Sequence, residues 1–101
     1  MADQPIFCRL TPEALDARKR DLLSALVDRS VGRELLTDGV RLRFEASEET
    51  LSSIVQAVEA ERHCCRFLRF TITVEPNDGA MLLELTGPPG SREFVAALLE
   101  L

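Results

Sequence analysis

The sequence predicts an α+β domain, a four-stranded antiparallel sheet with helices on one face. Three observations lead there. Stretches of period-two alternation, around Val40 to Phe44 and Leu68 to Val74, are interleaved with stretches of helical period. Each lies beside an Asp-Gly pair, Asp38-Gly39 or Asp78-Gly79, a dipeptide that favours the positive φ angles of a tight hairpin turn. Each strand also has only one apolar face, as expected of an antiparallel sheet covered on one side.

The elements follow in order. "PIFCRLTPEALDARKRDLLSALVDR" begins as a short extended piece and becomes an amphipathic helix. Thr11 suits the N-cap, Pro12 the first helical position, and Glu13 the positive end of the helix dipole. Leu15, Leu22, Leu23 and Leu26 recur at helical spacing, and Arg18, Lys19 and Arg20 between them read as a solvated face. "GRELLTDGVRLRFE" is a hairpin in which Val40, Leu42 and Phe44 face one way and Arg41, Arg43 and Glu45 the other. "SEETLSSIVQAVEAERHCC" returns to helical period. Ser47 is its N-cap, Glu48 and Glu49 occupy the first turn, and Leu51, Ile54, Val55 and Val58 form the buried stripe.

"FLRFTITVEPNDGAMLLELTG" is a second hairpin, alternating Leu68, Phe70, Ile72 and Val74 with Arg69, Thr71, Thr73 and Glu75. "PPGSREFVAALLEL" closes the chain as a helix with the stripe Phe94, Val95, Leu98 and Leu99. Pro88 and Pro89 fit only at or before its first turn. The two Asp-Gly pairs are forty positions apart, as are Ile54 and Phe94, Val55 and Val95, and Val58 and Leu98. That offset suggests an internal ββα repeat following the N-terminal helix.

Composition narrows the function. The chain has 101 residues, enough for one domain with a single core. Its net charge of -5 argues against nucleic-acid binding, which usually brings a basic excess. No apolar run approaches the roughly 18 residues of a membrane span. "MADQPIFCRL" lacks the basic and apolar regions of a secretory signal, so the cytoplasm is the expected compartment. Thiols stay reduced there, and the odd count of three cysteines also fits free thiols better than a disulfide framework. Arginines on the open sheet face, Arg41, Arg43 and Arg69, read first as partners of Glu45, Glu75 and Glu84. Holding an anion or a partner is the alternative, and Leu82 among these charges allows a homodimer.

The chemistry concentrates in "ERHCCRFLRF". Seven residues beyond Val58 the stripe reaches Cys65, which puts that thiol inward, while Cys64 is rotated by about 100° toward the rim. The following strand requires the helix to end near this point. Glu61 lies within reach of either cysteine, His63 precedes them directly, and Cys8 could approach through tertiary packing. Thiolates select soft or borderline ions such as Cu(I), Zn(II) or Hg(II). Cys64, Cys65 and Cys8 with Glu61 or His63 would therefore suit a soft metal or a small thiol-reactive ligand. Against this stands the absence of any Cys-x-x-Cys pair, and the alternative is that Cys65 and Cys8 simply pack as small apolar residues while Cys64 fills a gap. His63 also suits the negative end of the helix dipole. An enzyme with Cys64 as nucleophile ranks third, since one histidine supports no Ser-His-Asp set and "GPPG" lacks the pattern of a phosphate loop.

"CRLTPEAL" and "ERHCCRFLRFTITVEPNDGAMLLELTGPPGSREFV" resemble a group of small uncharacterised bacterial proteins. These carry Glu-x-x-Cys-Cys-x-Phe-Leu-x-Phe, then a strand and a Thr-Gly-Pro segment, and are loosely associated with metal- or mercury-responsive regulators. The resemblance implies thiol-metal chemistry at Glu61, Cys64 and Cys65, with Cys8 less directly. Where many members have proline after the cysteines this chain has Arg66, which implies a softer helix break. The leading expectation is a soft-metal-binding protein, and the alternative is a non-catalytic interaction module with structural cysteines.

Overall fold

The computed structural model describes residue 22 and residues 24–101. Thr11, Pro12, Glu13, the basic cluster at Arg18, Lys19 and Arg20, and Cys8 lie outside the described residues. Helix α1 spans Ser24–Arg29, strand β1 Gly32–Leu36, β2 Gly39–Phe44, helix α2 Glu48–Cys64, β3 Arg69–Val74, β4 Met81–Thr86 and helix α3 Ser91–Leu99. The strands form one antiparallel sheet in the order β1-β2-β4-β3. The class is α+β, as the alternation predicts.

Register explains the core. Val40, Leu42 and Phe44 of β2 stand opposite Leu85, Leu83 and Met81 of β4, and all six are buried. They meet Leu26 and Val27 of α1, Ile54 and Ala57 of α2, and Val95, Leu98 and Leu99 of α3 in one cluster. Helix α2 packs against β3, whereas α3 packs mainly on β2. The helices that follow the two hairpins differ in length, 17 residues against nine.

Local signals set the helix ends. Ser47 is extended, and its hydroxyl accepts from the Thr50 amide at 3.3 Å, satisfying one of the donors orphaned at a helix start. Ser47→Ala should therefore cost about 1 kcal/mol. The melting midpoint should fall by roughly 5 °C, and an unchanged thermal unfolding curve would count against the cap. Helix α3 starts immediately after the two prolines, with Gly90 at its N-cap at φ 98°.

Four expectations need correction. The turns do not place their glycines at positive φ. In the first hairpin Leu36 pairs with Gly39, leaving Thr37 and Asp38 as the loop. Gly39 belongs to β2, where a Cβ would stand 1.9 Å from the Leu85 carbonyl oxygen. Close backbone approach, not handedness, requires that glycine. In the second turn Asn77 and Asp78 carry the positive φ angles, 59° and 57°, instead of Gly79, as short polar side chains tolerate. Val55 is 51% exposed instead of buried, because the packed stripe of α2 runs through Ile54, Ala57 and Glu61. Ile72 and Val74 share the helix-facing side of the sheet yet are 37% and 57% exposed, since β3 is an edge strand.

Candidate functional site

The end of α2 brings two of the expected residues together. Helical geometry ends at Cys64, and Cys65 is the C-cap, its amide bonded to the Glu61 carbonyl at 2.7 Å. The chain then turns at once, with the Leu68 amide donating to the Cys65 carbonyl at 3.1 Å. Burial of Cys65 and Leu68 anchors the turn, and Phe67 packs edge-to-face on Phe94 at 5.1 Å. The helix therefore breaks sharply with Arg66 after the cysteines, without a proline.

Cys65 is fully buried, and Glu61, one turn earlier, is 1% exposed. The Cys65 Sγ lies 3.8 Å from Glu61 Oε1, with geometry suited to donation by the thiol. Both residues also take part in further interactions. A carboxyl withdrawn this far from water is costly unless its surroundings compensate it, so its placement beside a thiol is the most unusual chemical feature of the described residues. Its burial was readable as position. Ile54, Ala57, Glu61 and Cys65 follow the three-four spacing of one helix face, and only the polarity of Glu61 hid it.

The other expected residues lie elsewhere. His63 is exposed, and its Nε2 stands 3.0 Å from a Glu59 carboxylate oxygen. Arg62 pairs with the same carboxylate at 2.8 Å. Arg62 first, and His63 second, hold the Glu59 carboxyl down from 4.5 to about 2. His63 thus sits in the last turn of α2, where a basic residue complements the helix dipole. The Cys64 side chain and Cys8 are outside the described residues. Among the described residues no group of three or more His, Cys, Asp or Glu is arranged to hold a metal.

The arginines of the open face are partly committed. Arg41 bridges Glu34 and Glu84 at 2.8 Å each, and these carboxylates, Glu84 foremost, hold its guanidinium still further toward the charged form. Glu84 was expected in this role; Glu34 was not, because its partner becomes visible only from the register Glu34↔Arg41. A cleft of about 750 Å³ opens at the opposite end of α2, between Arg43, Ser47, Leu51, Val74 and Asp78. It is roughly 25 Å along the helix from Cys65, and no thiol or imidazole is among its described lining residues.

No helix among the described residues is long and apolar enough to cross a membrane. No known protein family, curated protein or solved structure matches this chain.

Proposed function

We propose that this chain binds a soft or borderline metal ion through thiolates gathered at the end of α2. The observation that carries the reading is the buried Cys65–Glu61 pair, at 3.8 Å. Sulfur and carboxylate oxygen on one tetrahedral zinc, at about 2.3 and 2.1 Å from it, stand roughly 3.6 Å apart. The two donors are thus close to the separation a shared ion needs, and the cation would take the place of the thiol proton. In this reading Cys64 would supply a second thiolate and Cys8 a supporting one, completing a set that two donors alone would leave open. His63 would have to leave Glu59 to join, so it is the weakest member of the set.

Thiol labelling tests this. In the reduced, metal-free protein Cys64 should react with maleimide well before Cys65, which is fully buried. Saturating Zn(II) should slow Cys64 by roughly tenfold or more, because a metal-bound thiolate is withdrawn from attack. A Cys64 rate indifferent to Zn(II) and Cu(I) would sink the proposal. The second reading, a non-catalytic interaction module, draws on a different observation: the uncovered apolar side chains Ile72 and Val74 on the edge strand.

A further inference from the structure

Among the described strands the two edges of the sheet differ in charge. Edge strand β1 exposes charged Arg33 and Glu34 beside Leu35, itself 59% exposed. Edge strand β3, Arg69–Val74, has no proline, glycine or lysine, and its pairing with β4 runs without a bulge from Arg69↔Thr86 to Val74↔Met81. Sheets normally blunt such an edge with charge, proline or a bulge, since its outward N–H and C=O groups can template another strand. Here Ile72 and Val74 stand exposed along it. Arg69 at one end and Glu75 just beyond the other are both exposed, and neither joins an ion pair among the described residues.

We propose that β3 seats a second copy of this chain, through antiparallel β3–β3 pairing centred on Ile72. The strand is complementary to itself in that register. Ile72 lies opposite Ile72 on the two-fold axis, and Phe70 lies opposite Val74 on the helix-facing side. On the open face Thr71 meets Thr73, and Arg69 meets Glu75. Two-fold symmetry makes each unlike pair occur twice. Aromatic–β-branched and opposite-charge pairs are among those that favour a sheet. A slip of one residue would set the partner's helices on the opposite face, and a slip of two would separate Arg69 from Glu75. The product is one continuous sheet of eight strands, built from two sheets of four with the described helices on one side. This inference is independent of metal binding.

Sedimentation of the full-length reduced protein tests it, with circular dichroism to check the fold of each variant. The wild type should be a dimer. Ile72→Lys, which sets two ammonium groups together on the axis, should be a folded monomer. Arg69→Glu and Glu75→Arg should each weaken the dimer by about tenfold, since both symmetry-related pairs become repulsive. The double variant Arg69→Glu with Glu75→Arg should restore it, which no merely structural effect of the single changes would do. A wild type that stays monomeric up to millimolar concentration would overturn the proposal, whether or not the edge accepts a strand from another protein. So would a dimer indifferent to Ile72→Lys, and failure of the double swap to restore the dimer would overturn this register.

Discussion

Gly39→Ala should be the most damaging single methyl added to the sheet. Its Cβ would stand 1.9 Å from the Leu85 carbonyl oxygen and 2.8 Å from the Thr86 Cα. Both neighbours are backbone, so no side chain can rotate away. Relief requires β2 and β4 to separate at Gly39↔Thr86, the end of the seam that joins the two hairpins. Val40↔Leu85 follows directly, with both side chains in the core. A forced backbone shift with loss of adjacent ladder bonds should cost on the order of 4 kcal/mol, at the upper end for point substitutions. For a domain of this size the midpoint should fall by roughly 20 °C. Gly32→Ala is the matched control, since its Cβ would meet nothing closer than the Arg43 Cβ at 3.6 Å. Thermal unfolding of both should separate them widely; equal midpoints would show that the close approach at Gly39 does not limit stability.

That glycine shows how the sequence was legible and where it misled. The Asp38-Gly39 pair correctly marked a hairpin, but a dipeptide cannot distinguish a glycine needed for its φ angle from one needed for its missing Cβ. The neighbouring backbone belongs to β4, more than forty residues away in the chain. Alternation at Val40, Leu42 and Phe44 found the buried side of β2 because a central strand is covered along its whole length. The same alternation overstated Ile72 and Val74, because period two assigns a face without revealing whether a helix extends over the sheet's edge. Val55 failed for a related reason. It lies about 100° around the helix from Ile54, off a stripe that is narrower than its apolar composition suggests.

The site was legible to the extent that it is local. Glu61 and Cys65 are one turn apart, so helical spacing alone brings them within reach, and the 3.8 Å contact follows that spacing. Cys65 was expected inward because it continues the stripe from Ile54 and Val58, and it is buried. The sharp helix end needed more than local sequence. It rests on Leu68 entering the core and on Phe67 meeting Phe94 of α3, contacts made only after the sheet assembles. The part proposed for Cys8 would be tertiary too, and no spacing within the chain encodes it.

The melting midpoint of the reduced protein with and without metal tests the central claim most directly. A ligand that binds only the folded state stabilises it by about 2.7 kcal/mol at a hundredfold excess over its Kd. In a domain this small that raises the midpoint by roughly 10 °C or more. Zn(II) or Cu(I) should produce this shift, and it should shrink as pH falls, because the ligand thiols must lose their protons to bind. Cys64→Ser should abolish the shift at little cost to the metal-free protein. Cys65→Ser should lower stability with or without metal, since Cys65 also fills the core. A midpoint that neither ion moves, with Cys64→Ser indistinguishable from wild type throughout, would contradict the metal-binding account and leave Cys65 as a packing residue.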